Sequence, residues 1–277
     1  MQEQEVAGVD WSKTKTIFIV VFAILNVFLF SLYMNRTNEY ENYGVLGEAS
    51  IEERLSGDDI TYGELPETKE AYRISGELKP VSLMEIRELS GQALKVTEGH
   101  TLISELEEPA GLENSKGKLE FGEFLEKYVT NGKDYTLWEV DEEKRTATFF
   151  QNFDGNTIFY NENSTLTVHW NTDRKAIRYE QTMLHNLKEI NEKKPLYSPL
   201  QAISALSRSG VIKPGAHVKD VELGYSPLVE LTQTQVFVPT WHIHVELDDG
   251  TSADHFVNAV NGKILDKLSE PDTQEQE

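Results

Sequence analysis

The chain has 277 residues, 39% of them hydrophobic, with 47 acidic side chains against 26 basic ones and a formal net charge of −21 at pH 7. That surplus of carboxylates repels phosphate backbones and excludes nucleic acid as a partner, while the apolar share is enough for a packed core in one or two domains. The absence of cysteine removes disulfide staples, thiol catalysis and thiolate-bound zinc.

The first element in chain order is the run IFIVVFAILNVFLFSLYM, Ile17–Met34, 18 residues without a charge. At about 1.5 Å per residue it reaches about 27 Å, close to the hydrocarbon thickness of a bilayer. Trp11 precedes it and Tyr33 lies at its far end, where amphipathic rings favour the headgroup zone. Lys13 and Lys15 before the run, against Arg36 after it, orient the N-terminus to the cytoplasm. The run is longer than a signal-peptide core, and Ser31-Leu32-Tyr33-Met34-Asn35-Arg36 lacks the small-residue cleavage pattern. The expectation is a single-pass protein of the cell membrane: residues 1–16 a cytoplasmic tail, 17–34 a transmembrane helix, 35–48 a polar tether, and the remainder extracytoplasmic. Only Glu3, Glu5 and Asp10 among the acids and Lys13 and Lys15 among the bases precede the run, so the remainder carries a formal −20.

Beyond the tether, Ala49–Leu55 predicts a brief helix broken by Ser56-Gly57-Asp58-Asp59. Ala71–Ser75 and Leu94–Val96 alternate as half-buried strands. Pro109 through Lys118 reads as a loop. Leu119, Phe121, Phe124, Leu125, Tyr128 and Val129 recur at helical spacing, with Asn131-Gly132 expected as the C-cap. Strands follow at Tyr135–Val140, Thr146–Phe150, Thr157–Tyr160, Thr165–Trp170 and Ala176–Thr182, separated by turn residues. After Pro195–Pro199 a second helix runs from about Ser198 to Arg208, closed by Gly210, and then strands at Val218–Tyr225, Leu228–Thr234, Val236–Leu247 and Ser252–Val260. A helix followed by several strands thus occurs twice. The expected fold is α+β, with two related sub-domains, each a helix and an antiparallel sheet, at 49–170 and 171–268, and an acidic disordered tail at 269–277.

Catalytic motifs are few. No G-x-S-x-G elbow, H-E-x-x-H pair or phosphate-cradling G-x-x-x-x-G-K-[ST] occurs in the sequence. S-x-x-K occurs at Ser12/Lys15 and Ser115/Lys118, the first at the membrane edge and the second in a Gly/Lys loop without the desolvation a catalytic lysine needs. His242 and His244 share one strand face, and a turn at Asp248-Asp249-Gly250 brings His255 within reach. Three imidazoles can hold zinc, but plain alternation, with Trp241, Ile243 and Val245 on the core face, gives the same pattern. His100, His169, His185 and His217 are scattered. The chain is therefore read as a non-enzyme with no catalytic residue, cofactor or metal assigned.

The stretch Asp10-Trp11-Ser12-Lys13-Thr14-Lys15-Thr16-Ile17-Phe18-Ile19 resembles the N-terminus of the YycI family, whose members open Met-Asp-Trp-Ser-Lys-x-Lys and run straight into the membrane. Asp10, Trp11, Ser12, Lys13 and Lys15 carry the likeness. Val9 stands where that family has its initiator Met, as a GTG start codon would read. The expectation is a start at position 9, with residues 1–8 a gene-calling artefact, checked by mass spectrometry of the N-terminal peptide. The resemblance implies an accessory protein of the essential two-component system that controls cell-wall metabolism in Gram-positive bacteria. Its implied partners are the sensor histidine kinase WalK (YycG) and the sister protein YycH.

Asn26 sits midway along the apolar run, and an amide in lipid must find a hydrogen-bond partner, which another helix can supply. Its neighbours at helical spacing are Phe22, Ala23, Leu29 and Phe30. This stripe is the expected contact with the transmembrane helices of the kinase and YycH; the alternative is an Asn satisfied by its own backbone. Trp241–Leu265, closed by Asn258-Ala259-Val260-Asn261-Gly262-Lys263-Ile264, also resembles the repeat of PepSY-type domains. That likeness implies an alternative function, an exterior inhibitor or chaperone module for a secreted protease or wall enzyme. An ordinary hairpin with an Asn-Gly turn gives the same pattern.

Overall fold

The computed structural model describes residues 11–43, 48–230, 234–247 and 250–265. Val9, Asp10, the residues before them and the expected tail at 269–277 lie outside the described residues. The chain forms two compact units, Met1–Ile51 and Glu52–Glu277.

In the first unit the apolar run is helical. Helix α1 spans Trp11–Tyr43, so helix continues past Met34 over much of the expected tether. From Lys15 to Ser31 every side chain of α1 is exposed, including Phe18 at 71% and Phe22 at 67%. The exposed apolar side chains surround the helix and form no single stripe. Among the described residues no helix is long and apolar enough to cross a membrane, the described side chains of α1 ending at Ser31.

Helix α2 is Glu48–Gly57. The chain then forms β1 (Thr61–Tyr62), β2 (Glu70–Leu78), α3 (Leu83–Glu88), β3 (Gln92–Thr97) and β4 (Thr101–Gly111). Helix α4 (Gly122–Tyr128) leads to β5 (Tyr135–Asp141), β6 (Thr146–Phe153), β7 (Asn156–Thr157), β8 (Thr165–Trp170), β9 (Lys175–Gln181) and β10 (Leu184–Pro195). Helix α5 (Pro199–Arg208) precedes β11 (His217–Glu230), β12 (Thr234–Glu246) and β13 (Ser252–Asn258).

The α+β class holds, with two sheets dominating. One sheet has the order β3-β4-β9-β8-β6-β5, with β7 on β6; the other has the order β1-β11-β12-β2-β10, with β13 on β12. The second sheet takes strands from both sides of the first in sequence, and the expected sub-domain boundary at 170/171 falls between β8 and β9, which are hydrogen-bonded neighbours.

Each sheet has a helix packed by its sequence periodicity. On the seven-stranded sheet, Phe121, Phe124, Leu125 and Val129 from α4 and its flanks meet Leu102, Phe149, Leu166, Val168, Trp170 and Tyr179. Phe121 stands edge-on to Phe149, with ring centroids 5.3 Å apart. The helix ends at Val129, its C-cap; Asn131, at φ 54°, instead begins a short 3-10 turn, Gly132–Asp134. Helix α5 starts on a reciprocal capping box, Ser198 with Gln201, and Pro199 fills its first turn. It buries Leu200, Ala202, Ile203 and Leu206. Nearby, the fully buried Trp241 donates its indole N–H to the Tyr197 carbonyl at 2.8 Å.

Three further differences from the expected elements have physical causes. Strand β10 carries a charged, bulged sequence at a sheet edge. Strand β4 extends to Gly111 through Pro109 because it is irregularly paired between Glu105 and Ala110. The expected strand Val218–Tyr225 and the start of the expected Leu228–Thr234, as far as Glu230, join into β11, with Pro227 accommodated at a register shift, and Thr234 opens β12.

Two features fix the C-terminal hairpin. Strand β12 first pairs with β2, through Thr234–Phe237, and then with β13, through Thr240–Glu246. Pro239 lies at this handover, where it has no N–H to offer a ladder and its carbonyl accepts from Ala259 N–H at 2.9 Å. Beyond β13, the Asn258 side chain accepts from the N–H groups of Val260 and Asn261, and Gly262 takes φ 67° beneath the Tyr197 ring. The two sheets meet where Ile158, Ile74, Leu184, Tyr225 and Phe237 pack together. Buried Asn161 also donates to Gln235 there, at 2.8 Å.

Candidate functional site

Directly opposed residues of an antiparallel pair share a face. Strand register therefore builds two rows across β11, β12 and β13: Asp220–His244–Asp254 and Glu222–His242–Phe256. Three carboxylates and two imidazoles gather on one face at the edge of an aromatic cluster. The His242 ring stacks on Phe256 at 5.1 Å and meets Trp138 at 4.9 Å and Phe159 at 5.4 Å. Trp138 comes from β5, so this cluster also joins the two sheets. His242 is only 8% exposed.

His242 Nε2 and His244 Nδ1 both lie 2.7 Å from Asp254 Oδ1. Burial works to raise the Asp254 carboxyl, but hydrogen bonds from the two imidazoles and their charge outweigh it and hold the group below the usual carboxylate range. An ionised carboxylate only accepts, so both imidazoles donate N–H to it. His242 Nδ1 is left buried without a hydrogen-bond partner. Across β11, burial pushes the Glu222 carboxyl up, as do the charge of Asp220 and a hydrogen bond with it, while His242 opposes.

The structure brings together His242 and His244, as their spacing predicts, but not His255. His255 pairs with Ile243 and so occupies the opposite face; alternation puts its predecessor, Asp254, beside the two imidazoles. Burial lowers the His255 pKa, with Asp254 opposing and His242 adding to the depression. Asp220, Glu222 and Asp254 were not expected at this site. The signal for Asp254 lies in the hairpin itself, since a turn centred on position 249 sets 244 opposite 254. The second S-x-x-K, Ser115 and Lys118, lies in an exposed loop whose Asn114 side chain accepts from the Lys116 and Lys118 N–H groups. That is a turn device, not a desolvated lysine.

On α1, Phe22, Ala23, Asn26, Leu29 and Phe30 are all exposed. Asn26 Nδ2 donates to the Phe22 carbonyl, one turn back, at 2.8 Å. One amide proton is thus satisfied within the helix, and the group has further hydrogen-bonding capacity. Of the N-terminal motif, Trp11, Ser12, Lys13 and Lys15 lie in α1.

These elements define an α+β region of two antiparallel-dominated sheets in a chain that also carries an exposed apolar helix. Its residues 43–260 match the family model described as YycI protein, and the chain belongs to the YycI family. The matched segment begins beyond the opening motif, so the family rests on residues independent of it. No curated protein matches the sequence. Among solved structures, a crystal structure of an uncharacterized protein from Eubacterium rectale is similar with a TM-score of 0.46 and 11% identity, covering 75% of this chain and 91% of that one.

Proposed function

We propose that the protein is a membrane-anchored accessory regulator of the WalK (YycG) two-component system, acting by binding the sensor kinase and YycH. The observation that carries this reading is the family match over residues 43–260. It is supported by the N-terminal motif, which resembles the same family from a different part of the chain. The anchor is Ile17–Met34, with the N-terminus cytoplasmic and the sheets extracytoplasmic. A helix apolar on all sides and exposed on all sides has its surroundings supplied by lipid or by other helices. Within the anchor, the stripe of Phe22, Ala23, Asn26, Leu29 and Phe30 packs on partner helices.

No bond need be made or broken. A partner that binds one signalling state of the kinase better than the other shifts the population by its differential affinity alone. Replacing residues 17–34 with an unrelated apolar helix tests this reading. Loss of regulation with normal insertion and amount supports it. Full retention favours the second reading, in which a PepSY-like hairpin at 241–265 serves as an exterior inhibitor module and the helix is only a tether.

A further inference from the structure

One potential ligand atom from each of His242, His244 and Asp254 lies within 4.8 Å of the other two on the β11–β12–β13 face, and His242 Nε2 and His244 Nδ1 both face Asp254 Oδ1 at 2.7 Å. We propose that this triad is a binding site for a divalent first-row transition ion, with Zn2+ the ion it fits. Two imidazole nitrogens with one carboxylate oxygen are a zinc-type donor set; Ca2+ and Mg2+ take oxygen ligands instead.

The site is built from the inside outward. His242 is held by stacking on Phe256 and by Trp138, which fixes its ring before any ion arrives. His244 and Asp254 have side chains 30% and 36% exposed, leaving an entry path and room for a water or a fourth ligand. Ligands about 2.0–2.1 Å from a tetrahedral zinc lie about 3.3 Å apart, so Asp254 needs to withdraw about 0.6 Å from its present hydrogen bonds. An imidazole in its neutral form moves its proton from the nitrogen facing Asp254 to the other ring nitrogen, and one in its charged form releases a proton to solvent.

That shift explains a second feature. Once His242 Nε2 binds the ion, the proton sits on Nδ1, which is buried and unpartnered and then requires an acceptor. Glu222 stands opposite His242 in register and is the carboxylate placed to serve. Asp220, opposite His244, adds a third negative charge that a dication offsets. Because the ligands come from β12 and β13, the ion pins the C-terminal hairpin.

The test uses the full chain in detergent, stripped with chelator, titrated with Zn2+ by calorimetry and with Co2+ by visible absorption. The expected result is one ion per chain, a tetrahedral Co2+ band, and a raised thermal midpoint with Zn2+. Asp254→Asn and His244→Ala each weaken Zn2+ binding at least about tenfold, and Glu222→Gln weakens it about tenfold as an outer partner. His255→Ala, on the same hairpin but the opposite face, leaves the affinity unchanged and controls for folding. The proposal is overturned by the absence of binding at millimolar Zn2+, by His255→Ala weakening binding as much as His244→Ala, or by displacement of Zn2+ by equimolar Ca2+.

Discussion

The side-chain amide of Gln151 makes both hydrogen bonds that a neighbouring strand would make to Leu184: Nε2–H donates to the Leu184 carbonyl at 2.9 Å, and Oε1 accepts from the Leu184 N–H at 2.8 Å. Gln151 lies on β6 of one sheet, and Leu184 opens β10 of the other. A single buried side chain therefore completes the main chain where the sheets join. Replacing Gln151 with Leu leaves two buried backbone groups unpaired, each costing about 1–3 kcal/mol. The expected loss is about 2–4 kcal/mol, read from the urea midpoint of the full chain in detergent. A loss under about 1 kcal/mol would show that water or relaxation replaces both bonds.

Gly224 permits another crossing between the sheets. Phe159 N–H donates to the Tyr225 carbonyl at 2.8 Å, which lays the chain after β7 directly over β11. A Cβ on Gly224 would lie 2.5 Å from the Thr157 carbonyl oxygen and closer still to the Phe159 ring. Gly224→Ala is expected to cost about 3 kcal/mol, by overpacking a site where backbone meets backbone. An unchanged thermal midpoint would contradict that contact.

Ser198 caps α5, accepting from Gln201 N–H at 3.3 Å, while Gln201 Oε1 accepts from Ser198 N–H at 2.8 Å. Ser198→Ala is expected to cost about 1 kcal/mol, and Ser198→Thr much less. Equal effects of the two substitutions on the urea midpoint would place the loss in packing and not in the cap.

His169 on β8 is half-buried, and burial lowers its pKa, with Arg178 adding to the depression and Glu180 opposing. The folded state thus prefers the neutral ring. The unfolded chain binds the extra proton between the depressed value and about 6.5, so stability is full above about pH 6.5 and falls as pH drops through that window. His169→Gln should show a smaller fall in urea midpoint between pH 7.5 and pH 5.5 than the native chain, without abolishing it, because His255 is depressed as well. Identical falls would show that His169 does not contribute to the acid sensitivity.

What was legible in the sequence follows from the range of the interactions. Helix α5 was legible through apolar residues at 200, 203 and 206 after the Pro195–Pro199 break, all local, while its Ser198–Gln201 capping box emerged only in the structure. Strand β8 was legible because Leu166, Val168 and Trp170 are buried in strict alternation. Strand β10 was not, because Leu184, Leu187 and Ile190 are spaced by three and its pairing to β2 is bulged twice. Its partner also lies more than a hundred residues away, so no local pattern reports the pairing. The triad failed by a single position. Expecting His255 beside His242 and His244 ignored register, and one step along a strand exchanges faces, which brings in Asp254.

We propose that this YycI-family chain works by binding the sensor kinase and YycH, with Asn26 part of the contact. The most direct measurement is a crosslinking pull-down from membranes, comparing the intact full-length chain with Asn26→Leu. The intact chain is expected to recover both partners, and Asn26→Leu, inserted normally and in equal amount, to recover neither. Recovery of neither partner by the intact chain would contradict the claim and return the protein to the exterior-inhibitor reading.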